Sequence, residues 1–123
     1  MLTISESPHL LISTAVLFML ALVLAATCSV HFGRRIRSMK VPMQWGSNGE
    51  PTWFAPRPIG IWWGFGFTLI VGGFMFAMAC GLAAENIPSL CLAIAAMSIL
   101  EVIVQFLHLR AIVRWEAKGN IGA

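Results

Sequence analysis

Three long apolar runs separated by two polar breaks dominate the chain, covering residues 10 to 32, 59 to about 84 and about 88 to 109. A hydrocarbon layer about 30 Å thick needs about 20 apolar residues in a helix that rises about 1.5 Å per residue. Each run meets that length, so the pattern predicts a single all-α domain over residues 1 to 123: an integral membrane bundle of three transmembrane helices. Only the third run holds a charge, Glu101. A secretory leader would begin with basic residues and have a shorter apolar stretch before a small-residue cleavage site. Here the leader carries Glu6 and the run is too long, so the first segment is read as a retained span. Ser7 suits a helix cap, and Pro8 in the first turn sacrifices no needed N–H donor.

Composition agrees with this reading. Apolar residues make up 59% of the chain and charged residues 11%, against roughly 25% charged in ordinary soluble domains. All eight Lys and Arg fall in two places. Arg34, Arg35, Arg37, Lys40 and Arg57 lie between spans one and two, and Arg110, Arg114 and Lys118 follow span three. Glu6 and Glu85 belong to the opposite face. The positive-inside rule then predicts an N-terminus outside and a C-terminus inside a bacterial inner (cytoplasmic) membrane. Residues 33 to 58 form an inner loop, and spans two and three turn outside around Glu85, Asn86, Ile87 and Pro88. Trp45, Trp53, Trp62, Trp63 and Trp115 all fall at the inner interface, where an amphipathic indole is stable. The basic run at residues 34 to 37 is explained by topology and by attraction to anionic lipid, so no nucleic-acid partner is expected.

The segment from residue 41 to 58 has too many Pro and Gly for helix or strand and reads as an ordered loop of two turns. Ser47, Asn48 and Gly49 supply residues that tolerate positive φ, while Pro51, Pro56 and Pro58 hold an extended path. Pro42, Gln44-Trp45, Asn48-Gly49-Glu50-Pro51 and the basic Arg57 before the next span together resemble the loop of the SdpI-like bacterial membrane proteins, which include toxin-immunity proteins. That family's loop carries His where this chain has Gln44. The resemblance implies an integral membrane protein linked to immunity or signalling, and it points to no catalytic residue. Two uses fit the loop. It is either an interfacial connector that fixes the entry angles of two spans, or a recognition surface formed by Gln44, Trp45, Asn48, Gly49, Glu50 and Pro51.

Polar groups inside the spans are few. Ser98, Glu101, Gln105 and His108 recur at helical spacing, with Cys91 two turns earlier, and form a polar stripe on one face of span three. A charge in the bilayer centre costs at least about 2.5 to 3.5 kcal/mol, so Glu101 is expected to face the bundle. Depth matching sets Glu101 near Thr68 and Leu24, Gln105 near Gly64 and Cys28, and His108 level with His31. The stripe serves as hydrogen-bonded glue between helices, as a proton-carrying carboxyl, or as a contact surface for another subunit. Span two carries small residues at four-residue steps, Gly60, Gly64, Thr68 and Gly72, and a shifted set, Gly73, Ala77 and Gly81, which predict close helix packing. Phe65, Phe67, Phe74 and Phe76 cover its other faces.

Chemistry of other kinds finds little footing. The sequence has no phosphate loop, zinc-protease or nucleophile-elbow motif, so no enzyme is expected. Cys28, Cys80 and Cys91 form no paired motif and read as small packing residues, although Cys80 and Cys91 both lie near the outer turn. His31 and His108 are the one pair suited to haem or a metal, without the additional ligands of a diagnostic site; no cofactor is expected. The sequence therefore predicts a small non-catalytic membrane protein that binds a toxin, a regulator or a membrane partner, either another protein or a second copy. The second expectation is an accessory or assembly subunit of a larger energy-converting membrane complex.

Overall fold

The computed structural model describes residues 7 to 81 and 86 to 120. Glu6 and Glu85, both assigned to the outer face, lie outside the described residues, as does the side chain of Ser7. The chain forms α1 (Ser7–Gly33), β1 (Lys40–Trp45), β2 (Pro51–Pro56), α2 (Arg57–Cys80) and α3 (Ile87–Trp115), followed by a wide π-helical turn, Glu116–Asn120. Three helices are long and apolar enough to cross a membrane. Each packs against both others, so the bundle has no isolated span.

One expectation is corrected here. The segment read as neither helix nor strand contains an antiparallel β-hairpin, with Lys40 opposite Pro56, Val41 opposite Ala55, Pro42 opposite Phe54, Gln44 opposite Trp53 and Trp45 opposite Pro51. Prolines are tolerated because a two-stranded ribbon consists only of edges, and Pro lacks just one donor of the ladder. Register irregularities between Pro42 and Gln44, and again between Gln44 and Trp45, accommodate the mismatch. At the tip, the Gly46 N–H donates to the Glu50 carbonyl (2.8 Å) and the Gly49 N–H to the Gly46 carbonyl (3.0 Å). Asn48 Oδ1 accepts from the Glu50 N–H at 3.0 Å. Gly49 adopts φ 83°, the left-handed conformation anticipated for this stretch.

Sequence chemistry also explains the helix ends. Pro58 and Pro88 stand in the first turns of α2 and α3, where a missing N–H costs nothing. Long-range bonds to polar side chains hold the exit from α1. Arg57 donates through Nε to the Ile36 carbonyl (2.9 Å) and through its guanidinium to the Gly33 carbonyl. The α3 helix continues past residue 109, so Arg110 and Arg114 project from its last turns rather than from a loop.

Two apolar clusters fill the bundle. At the hairpin end, Phe32, Ile36, Val41, Ile61, Leu109 and Ile112 pack together, so one buried hairpin residue joins the helical core. At the far end, Phe18, Leu22, Ala79 and Ile94 do the same. Large apolar side chains remain on the outer faces of the helices, among them Ile70 at 73% and Leu92 at 72% exposed. An apolar surface of this kind suits lipid as solvent.

Candidate functional site

The five tryptophans gather at the hairpin end, two on the strands, two in the early turns of α2 and one at the end of α3. Phe54 of β2 packs against Trp115 with ring centroids 5.8 Å apart. The turn that leads from α1 into the hairpin is also tied to the end of α3 by Glu116. Its carboxylate accepts the Arg37 N–H through both oxygens (3.1 and 2.9 Å) and the Ser38 N–H at 2.6 Å. Glu116 is buried, so three short bonds to backbone donors replace its lost hydration. In the sequence, the available signal for this role is that Glu116 stands as an acidic residue among the basic ones after the third apolar run.

This seating divides the residues expected to form a recognition surface. Trp45, Gly49 and Glu50 line a pocket of about 270 Å³ with Ala111, Arg114, Trp115 and Lys118. Asn48 stays at the exposed tip and shapes it through its bond to Glu50 N–H. Pro51 opens β2 opposite Trp45. Gln44 points elsewhere: it lines a second cavity, of about 390 Å³, with Met43, Trp53, Ile59, Trp63, Val104 and His108. Arg114 and Lys118 had no assigned role in the sequence beyond topology, and only the fold brings them to the loop.

The polar stripe of α3 divides as well. Ser98 is fully buried, but its hydroxyl donates to the Ile94 carbonyl of its own helix at 2.7 Å. Gln105 is the residue that joins all three helices. Its amide donates to Ser29 Oγ of α1 (2.7 Å) and to the Ile61 carbonyl of α2 (3.0 Å), and the Ser29 hydroxyl donates to that same carbonyl (2.9 Å). Depth matching placed Cys28 here; the partner is its neighbour Ser29, because that position faces α2. His108 Nε2 lies 3.3 Å from the Gly60 carbonyl.

Glu101 departs from expectation. It does not enter the bundle core but stands half-buried in a cleft of about 140 Å³ between α2 and α3, with Trp63, Gly64, Phe67, Val104, Gln105 and His108. Among the described residues its carboxyl has no hydrogen-bond or ion-pair partner. Thr68, its expected neighbour, is buried and donates to the Gly64 carbonyl of its own helix at 2.8 Å.

On α2, Gly60, Gly64, Thr68 and Gly72 are buried. A Cβ on Gly60 would collide with Val41, one on Gly64 with Gln105, and one on Gly72 with Phe18, so this row admits the hairpin, α3 and α1 in turn. Gly73, Ala77 and Gly81 are not enclosed, and a Cβ on Gly73 would meet nothing. His31 is exposed and lines a different cavity, with Val23, Ala26, Thr27, Val30 and Arg34. The two histidines weighed for haem thus open onto different faces. The three cysteines are free thiols, and among the described residues no group of three or more His, Cys, Asp or Glu is placed to hold a metal.

No protein-family model, curated protein or solved structure matches the chain.

Proposed function

We propose that this chain is a non-catalytic integral membrane protein that binds a protein partner through its hairpin, in the manner of an SdpI-like toxin-immunity or signalling protein. The observation that carries this reading is the meeting of Trp45, Gly49 and Glu50 with Arg114, Trp115 and Lys118 around one pocket. Glu50, Arg114 and Lys118 share its rim without forming an ion pair with one another. A rim with charges of both signs and large aromatic rings suits a polar peptide surface, since Trp and Arg are the side chains that most often anchor protein interfaces. The distribution of basic residues supports a cytoplasmic position for this pocket in a bacterial inner membrane.

Photo-crosslinking in native membranes tests the reading. A crosslinker at Thr52, exposed beside the tip, is expected to capture a defined protein, and the double variant Asn48→Ala, Glu50→Ala to lose that adduct at unchanged expression. An adduct unaffected by the double change would leave the hairpin as a mere connector. The accessory-subunit reading draws on Glu101, a carboxyl without an internal partner that suits contact with a neighbouring subunit. Co-migration with cofactor-bearing subunits in mild detergent would favour it.

A further inference from the structure

Glu101 lies about 13 Å along α3 from Arg110, taking about 1.5 Å per residue. With the helices spanning a membrane, that depth is within the hydrocarbon. A carboxyl there needs a proton or a cation, and the described lining of its cleft supplies His108 but no Lys or Arg. Arg110 belongs to the same helix but lies outside the lining of this cleft.

The cleft around Glu101 is not closed off. It shares Trp63, Val104 and His108 with the neighbouring 390 Å³ cavity beneath the hairpin, so the two form one groove along the α2–α3 seam. The groove has a definite chemical layout. Its deep end holds the carboxyl and Phe67, its shallow end holds Gln44 and Trp53, and Trp63, Val104 and His108 line the stretch between. Among its described lining residues Glu101 is the sole carboxylate, and Lys and Arg are absent. Trp63 is 57% and Val104 49% exposed, so the groove opens sideways toward lipid. An indole face attracts cations through its quadrupole, which reinforces the carboxylate.

We propose that this seam is a binding site for a lipophilic organic cation that enters from the bilayer, sets its charge against Glu101 and lays its apolar body along Trp63, Phe67 and Val104. Charge complementarity selects the occupant: a neutral amphiphile leaves the carboxyl unpaired, and an anion is repelled. The cavity beneath the hairpin, about 390 Å³, falls within the range of small-molecule sites, and the cleft of about 140 Å³ at Glu101 extends it. The site is separate from the pocket assigned to protein recognition, with which it shares no residue.

The experiment uses the full-length protein in detergent and two ions of equal shape and opposite charge, tetraphenylphosphonium and tetraphenylborate, followed by equilibrium dialysis. Tetraphenylphosphonium is expected to saturate at one per chain, and tetraphenylborate to leave that binding undisturbed. Glu101→Gln should weaken the cation by about ten-fold or more, and Trp63→Ala by a smaller factor. Glu101→Asp, which keeps the charge, should retain more binding than Glu101→Gln. The comparison of the two ions on the unaltered protein needs no variant, so a misfolded substitution leaves the test intact. Non-saturating uptake, equal competition by the borate, or unchanged affinity in a folded Glu101→Gln protein would overturn the proposal. So would a wild-type protein that takes up no cation but loses its oligomeric state on Glu101→Gln, which would assign the carboxyl to a partner helix.

Discussion

Ser38 and Glu116 show how much single residues decide at the exit from α1. The Ser38 N–H is held by Glu116, yet its buried hydroxyl has no hydrogen-bond partner. A buried hydroxyl left unpaired carries its desolvation cost without return. Ser38→Ala is therefore expected to be neutral or to stabilise by about 1 kcal/mol, read from thermal unfolding in detergent. Glu116→Ala has the opposite sign. It strands two backbone donors that the carboxylate now satisfies, and a loss of about 2 to 3 kcal/mol is expected, with faster proteolysis between residues 34 and 39. Gln105→Ala should cost about 1 to 2 kcal/mol, since it removes the amide that bridges Ser29 and Ile61.

At the scale of elements, the two rows of small residues on α2 predict contrary responses to the same change. Gly60→Ala and Gly72→Ala force Val41 or Phe18 to move, and overpacking of this kind costs about 1 to 3 kcal/mol. Gly73→Ala meets open space and replaces a flexible residue in a helix, so a gain of up to about 1 kcal/mol is expected in the same unfolding assay. The three helices were readable from the chain because a long apolar run has few other structures open to it. The hairpin was not. Its strands carry Pro42, Pro51 and Pro56, which argue against a ladder, and its pairing is fixed by what lies beneath it, Val41 against the Gly60 turn. The polar stripe was visible as spacing, but its division was not, because a periodicity cannot distinguish the side chain that crosses to a neighbour, Gln105, from one that bonds its own backbone, Ser98. The meeting of Trp45 and Glu50 with Arg114 and Lys118 at one pocket joins residues more than 60 positions apart and had no local sign in the sequence.

For the whole molecule, the proposed orientation makes a prediction independent of any partner. A cysteine placed at Asn48, in a chain whose native cysteines are replaced by alanine, should resist a membrane-impermeant thiol reagent in intact cells and react in inverted vesicles. Labelling from outside would reverse the arrangement and move the hairpin pocket to the outer surface. The long reach of Glu116 has a further consequence for how the protein is made. Glu116 adds to the Arg57 bonds at the turn after α1 from 78 and 79 positions away, so the full set of contacts there waits until Glu116 has left the ribosome. A nascent chain halted before residue 116 would have its spans but no latch. Proteases at the membrane would meet an unlatched stretch at residues 34 to 39, and that target would withdraw once Glu116 closes on Arg37 and Ser38.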